Sequence, residues 1–145
     1  MKKVIAVLLV LVVYAAFAFA GEIAKDGRFI AYDNETVLDK KTGLMWAAKD
    51  NGRNVNWTNA KKYCDDYRGG GYTDWRMPKG NELESLYATG AHKNLINITG
   101  SNIWTDKKFD STAVFFSTSS GRAGFEMKQS GDWTCCRALP VRFVK

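Results

Sequence analysis

Short stretches in which hydrophobic and polar residues alternate or cluster recur along the chain. This pattern is typical of β-strands separated by turns. In the final stretch Leu139, Val141 and Phe143 alternate with Arg142, which predicts a strand with one apolar face. Residues 21–25, by contrast, predict a loose N-terminal segment. The predicted strands cover 29–32, 36–38, 44–47, 103–105, 112–118, 123–128 and 137–144.

Two segments in the middle of the chain have helical periodicity instead. Over 57–68 the apolar residues recur every three or four positions, and the glycines at 69–71 end the pattern. Thr58 is the predicted N-cap of this helix. A second helix is predicted from Gly80 or Asn81 to Ala88. Strands, two helices and again strands predict an α+β fold with an antiparallel sheet.

The first twenty residues have the pattern of a secretory signal peptide. Met1-Lys2-Lys3 is basic, 4–20 is uncharged, and Ala18-Phe19-Ala20 fits a cleavage site before Gly21. A permanent membrane anchor is the alternative, which the cleavage pattern disfavours. The expectation is a bacterial protein that is exported to the periplasm or beyond the cell. After cleavage it would have no membrane attachment.

Removal of residues 1–20 leaves 145 − 20 = 125 residues, enough for one domain and too few for a multidomain enzyme. Leu, Ile, Val and Phe are scarce in this part, whereas all five Trp lie in it. We therefore expect a folded core rich in aromatic rings.

The net charge of the chain is +6, and removal of Lys2 and Lys3 lowers it to 6 − 2 = +4. Lysine pairs at 40–41, 61–62 and 107–108 lie near acidic residues, which favours a scattered, solvated surface charge. The absence of a basic stripe from the sequence argues against a nucleic-acid partner. A polyanionic glycan remains open as a partner.

The sequence contains no pattern that predicts a catalytic residue, a metal site or a cofactor. His92 is the one histidine, and it falls in a polar segment where a surface position is expected. A single histidine excludes histidine-cluster metal sites and gives weak grounds for a catalytic triad. No phosphate-binding or calcium-binding loop pattern is present in the sequence.

Three cysteines carry the remaining candidate chemistry. Cys64 lies on the first predicted helix, and Cys135 and Cys136 lie just before the last strand. Export to an oxidising compartment favours a disulfide, and a bridge from Cys64 would tie helix and strand together. A Cys135–Cys136 ring is the competing arrangement. A redox-active role for that pair is disfavoured, because adjacent cysteines form only a strained ring and no base is near in the sequence.

Several segments together resemble the Lcl C-terminal domain family, a bacterial family of unknown function named for a collagen-like adhesin. The run Gly-Gly-Tyr-Thr-Asp-Trp-Arg-Met-Pro at 70–78 is the most specific of them. The resemblance covers 29–145, which leaves 21–28 as a short N-terminal segment. The other matching segments lie at 39–46, 57–64, 82–86, 103–105 and 140–144.

The resemblance implies a fold similar to the C-type lectin domain, with two helices and small antiparallel sheets. It also implies an extracytoplasmic domain, and the named member of the family binds sulfated glycans. Phe143 replaces the usual last-strand cysteine of the family, so either Cys135 or Cys136 is expected to pair with Cys64. Strand parity favours Cys135, whereas a turn or bulge between 132 and 137 would favour Cys136. The chain has neither a collagen repeat nor the calcium motifs of animal lectins.

The residues of the matching motifs have structural roles in this interpretation. Asp74 and Arg76 are expected to pair with each other or with local backbone. Four tryptophans on predicted elements are expected to be largely buried in the core, namely Trp46, Trp57, Trp75 and Trp104. The other residues assigned to the structural motif are Trp46, Trp75, Pro78 and Trp104.

The expected function is that of a secreted, non-catalytic binding module. Its partner would be an acidic or sulfated glycan, or a protein of the cell surface. A structural subunit of a surface or envelope assembly is the alternative. An enzyme of the formylglycine-generating type is less favoured, because such enzymes need a longer chain.

Overall fold

The structure, a computed structural model, describes residues 20–88, 90–128 and 134–145. The signal-peptide prediction therefore falls almost wholly outside the described residues. Within them, no helix is both long and apolar enough to cross a membrane. The elements in chain order are strands β1 (Glu22–Asp26), β2 (Phe29–Tyr32), β3 (Thr36–Asp39) and β4 (Leu44–Ala47), helices α1 (Trp57–Asp66) and α2 (Gly80–Tyr87), and strands β5 (Asn102–Phe109), β6 (Thr112–Ser117), β7 (Arg122–Lys128) and β8 (Val141–Phe143).

The strands form two antiparallel sheets. The larger sheet has the order β1-β2-β3-β4-β8, so the last strand returns to pair with β4. The smaller sheet has the order β5-β6-β7. Helices α1 and α2 fall between β4 and β5 in the chain. The prediction of an α+β fold with two helices and small antiparallel sheets is confirmed.

Two clusters of buried side chains form the core. The first lies beneath the larger sheet and contains Phe29, Trp46 and Val141 from it, together with Leu83 and Leu86 of α2. The second packs α1 against β5 and β6 and is smaller. Its members include Ala60, Cys64, Trp104, Phe115 and Cys136. The aromatic-rich core follows from the scarcity of large aliphatic residues.

The N-terminal segment differs from its prediction as a loose tail. Glu22–Asp26 forms β1, whose backbone pairs with β2 from Glu22↔Tyr32 to Asp26↔Phe29. Most of its side chains are exposed, and Ile23 keeps 67% of its surface accessible. Backbone pairing without burial leaves no hydrophobic pattern in the sequence, so the strand could not be recognised from it.

Helix α1 begins one residue before the predicted N-cap. The Asn56 side chain accepts a hydrogen bond from the Asn59 amide, so Asn56 and not Thr58 is the N-cap. The helix ends at Asp66, and Tyr67 is already extended. The α2 bounds agree with the prediction.

The last strand is shorter than predicted, and its buried and exposed side chains do not follow the expected alternation. Only Val141–Phe143 pairs with β4. Phe143 is 53% exposed, whereas Arg142 is only 6% exposed. The Arg142 guanidinium bonds the Asp74 carboxylate and lies over the Tyr72 ring, which compensates for its burial.

His92 is buried rather than at the surface. Its exposed fraction is 2%, and its ring lies 4.2 Å from the Tyr87 ring. A short 3-10 helix, Ala91–Asn94, carries it inward from a segment whose neighbours are polar. Burial lowers the pKa of His92, so the neutral ring is favoured.

Candidate functional site

Three of the motif tryptophans are buried, as predicted. Trp46, Trp75 and Trp104 are 0%, 3% and 2% exposed. The Trp75 indole N–H donates to the Gly69 carbonyl at 3.1 Å, so the ring fills the core with its polar atom satisfied. Trp57 is only half-buried, which corrects the expectation for that ring.

Asp74 and Arg76 do not pair with each other. The Asp74 carboxylate accepts from the Arg142 Nε at 2.6 Å, whereas Arg76 makes a two-pronged ion pair with Glu82 at 2.9 and 2.7 Å. The predicted pairing of the two side chains is wrong because each has a charged partner elsewhere in the fold. The alternative of a local backbone contact holds for Arg76, which also donates to the Met77 carbonyl at 3.0 Å. Asp74 thereby fixes the last strand, and Arg76 fixes α2.

The motif also positions the start of α2 against β5. The Glu82 side chain accepts from the Lys79 amide at 2.8 Å, which caps the helix. The carbonyl of the buried Pro78 accepts from the Asp106 amide at 2.9 Å. Lys79 and the β5 residues after Thr105 are therefore held side by side.

The cysteines form a different bond from the expected one. The disulfide joins Cys135 to Cys136, and Cys64 keeps a free, buried thiol. The expected bridge from Cys64 to either partner is absent, although Cys64 and Cys136 share one apolar cluster. Cys135 precedes the isolated bridge between Val55 and Cys136 and is not in a regular strand, so the two sulfurs are not forced to opposite faces.

A cleft of about 630 Å³ opens where α2 begins beside β5. We call it the lysine groove. Three of its lining side chains are lysines, and Asp106 supplies the one carboxylate of the lining. Its lining consists of Lys79, Gly80, Asn81, Thr105, Asp106, Lys107, Lys108 and Val114.

In the part of the chain that the structure describes, the groove lysines Lys79, Lys107 and Lys108 form no ion pair with a carboxylate. Partial desolvation raises the pKa of Asp106, although Lys79 and Arg76 act in the opposite direction. The formal charge of the groove is 3 − 1 = +2 from its own lining residues.

Two aromatic rings flank the groove lysines. The Lys108 ammonium lies 5.2 Å from the centre of the Trp57 ring, and the Lys107 ammonium lies 4.7 Å from the Phe109 ring. The Trp57 indole N–H donates to the Thr105 carbonyl at 2.9 Å, which fixes that ring beside β5. Phe109 is 48% exposed. Each of these two lysines therefore has an aromatic ring beside it, although neither ring belongs to the lining of the groove.

A comparison with family models decides which family carries this site. The model of the Lcl C-terminal domain matches residues 35–141, about three quarters of the chain. The chain belongs to the Lcl C-terminal domain family. The match spans β3 to the start of β8 and so includes both helices and the lysine groove. No curated protein and no solved structure matches the chain significantly.

The structure of this Lcl C-terminal domain contains a second cleft, of about 610 Å³, which we call the α1 cleft. The exposed side of α1 forms one wall, and the loop at 51–55 forms the other. The Tyr63 and Tyr67 rings lie between them, and desolvation raises the pKa of Tyr67 to about 12. The lining consists of Asn51, Arg53, Val55, Asn59, Lys62, Tyr63, Asp66, Tyr67 and Arg68.

The lysine groove was not recognised from the sequence. Lys107 and Lys108 were assigned to a scattered surface, and Lys79 had no assignment. The available signal was local: Phe109 follows the lysine pair directly, and Trp57 begins the first helix. Their convergence with Lys79 depends on the pairing of Pro78 with Asp106, which no periodicity reveals.

A metal role finds no support in the described ranges. Within them, no three residues of the types His, Cys, Asp and Glu are close enough to hold a metal ion.

Proposed function

We propose that this Lcl C-terminal domain is an exported, non-catalytic module that binds an acidic or sulfated glycan in the lysine groove. One observation carries the proposal. Three lysines without ion-pair partners among the described residues line one cleft, and two aromatic rings flank them.

The chemistry of the groove suits such a ligand. Ammonium groups bind sulfate or carboxylate groups as compact charges, and they adapt to different spacings because their stems are flexible. Aromatic rings can pack against the apolar faces of sugar rings.

The export part of the proposal rests on the leader pattern of residues 1–20. The proposal also extends to the fold: two helices beside small antiparallel sheets, with the last strand returning to an early one, are compatible with a C-type-lectin-like arrangement. In that case, binding here would use lysines and not calcium.

Replacement of Lys107 and Lys108 by alanine should weaken binding to a heparin oligosaccharide about tenfold, or about 1.4 kcal/mol. The log–log dependence of affinity on salt should also become less steep, because fewer counterions are released. Isothermal titration calorimetry at several salt concentrations measures both. The matched control is K40A/K41A, another pair of exposed adjacent lysines, which lies outside the groove.

Equal weakening by both double variants would contradict the assignment to the groove. Unchanged binding of an oligosaccharide whose sulfates are removed and whose carboxylates are reduced to alcohols would contradict the role of acidic groups. If no glycan binds and the protein elutes as a large assembly in size-exclusion chromatography, a structural subunit of a surface assembly replaces the proposal.

A further inference from the structure

The Cys135–Cys136 disulfide lies where the core meets the loop wall of the α1 cleft. We propose that this disulfide is a redox-responsive site: closed, it holds that wall in place at Val55, and a dithiol reductant opens it and loosens the wall there. The inference does not depend on glycan binding in the lysine groove.

The connection from the disulfide to the cleft runs through Val55. The Cys136 carbonyl accepts from the Val55 amide at 2.9 Å. Val55 lines the cleft, and its carbonyl accepts from the buried Trp104 indole at 2.8 Å. The bond from the Val55 amide to the Cys136 carbonyl is the contact through which Cys136 holds the loop at 51–55.

The chain beyond the disulfide is anchored independently. The Arg137 amide donates to Asn102 at 2.9 Å, and the Arg137 carbonyl accepts from Trp104 at 3.0 Å. Asn51 and Ala138 exchange two hydrogen bonds, at 3.0 and 2.9 Å. Opening the disulfide is therefore expected to loosen residues 134–136 and Val55, while the strand contacts beyond them remain.

The two sulfurs differ in access to a reductant. Cys135 is half-buried, whereas Cys136 is 0% exposed. A thiolate of the dithiol attacks the Cys135 sulfur, and the disulfide bond breaks as Cys136 leaves as a thiolate and takes up a proton. The second thiol of the reductant then displaces Cys135 and forms the reductant's own disulfide. Two electrons pass from the dithiol to the pair, which ends as two thiols.

Cys64 does not exchange into the disulfide, although it shares the apolar cluster with Cys136. Its thiol is buried, and burial raises the pKa of Cys64 far above its usual value. Because the thiolate is the attacking species, the protonated Cys64 leaves the exchange to the external dithiol. When an oxidised dithiol then accepts two electrons and two protons from the pair, the bond closes again between Cys135 and Cys136.

Hydrogen exchange at the Val55 amide tests the proposal. In the full chain, the exchange rate of the Val55 amide should rise about tenfold when dithiothreitol reduces the disulfide. The Arg76 amide is the internal control, since it makes a similar isolated bridge, to Val141 at 2.9 Å, in another part of the fold. Its rate should stay unchanged. NMR measures the two exchange rates, and peptide mapping identifies which cysteines are linked.

The variant C135S/C136S should have the fast Val55 exchange without any reductant, and C64A should behave as the parent does. If the double variant fails to fold, the reduced parent protein still gives the answer. An unchanged Val55 rate after reduction overturns the proposal. An equal rise at Val55 and Arg76 overturns it as well, because it would show general destabilisation. A disulfide to Cys64, found by peptide mapping of the oxidised protein, also overturns the proposal.

Discussion

Replacing Trp75 with alanine is expected to lower the free energy of unfolding by about 3–5 kcal/mol, a large part of the stability of a small domain. The ring is 3% exposed, and the edge of Tyr67 packs against it at 4.9 Å. Truncation would leave a cavity and would leave the Gly69 carbonyl without its indole donor. Urea denaturation followed by circular dichroism measures the change.

Trp57→Ala is the matched control, because Trp57 is the same residue type but only half-buried. Its loss of stability should be clearly smaller. A Trp75 variant that unfolds at the same urea concentration as the parent would show that the ring is not part of the core, and the structural role of the motif would then be wrong.

Replacing Glu82 with glutamine should cost about 1.5–3 kcal/mol at neutral pH, because hydrogen bonds between charged groups are lost. Glu82 is 9% exposed and holds both prongs of Arg76 as well as the Lys79 amide. Glutamine keeps the shape but removes the charge and offers one acceptor oxygen instead of two. Thermal and urea unfolding at pH 7 measure the loss.

The same ion pair makes a predictable contribution to pH dependence. Burial alone would raise the pKa of Glu82, but the bonds from Arg76 and the Lys79 amide outweigh it, so the pKa is lowered from 4.5. A lowered folded-state pKa means that the stabilisation is complete above about pH 4.5 and is lost as the pH falls further.

The stability difference between parent and E82Q should therefore be constant from pH 7 to about 5 and shrink in more acidic solution. Lys61 and Asp65, an exposed pair on α1, supply the control: K61A should show little effect at any pH. A difference that grows as the pH falls would contradict the assigned role of Glu82.

The local sequence pattern was sufficient to predict those elements that combine a hydrophobic periodicity with a clear boundary residue. The strand at 44–47 follows Gly43, and α2 ends before Gly90; both were predicted within a residue or two. The strand β1 escaped prediction because its side chains are exposed. His92 was misplaced because burial there comes from a turn of the chain and not from an apolar neighbourhood.

The site was harder to predict than the fold because its contacts join distant parts of the chain. The partner of Asp74 is Arg142, 68 positions away. The lysine groove likewise combines Lys79 with Lys107 and Lys108. The cysteine pairing failed for the opposite reason: the long-range bridge looked favourable from chain entropy, but the bond formed between neighbours.

An NMR titration of the full domain with a sulfated heparin oligosaccharide tests whether an acidic glycan occupies the lysine groove. If it does, the amide signals of Lys79, Asn81 and Lys107 should shift together and saturate with one affinity, while those of Lys40 and Lys41 stay in place. Shifts that cluster elsewhere, for example along the α1 cleft, with no change at Lys79 and Lys107, would contradict it.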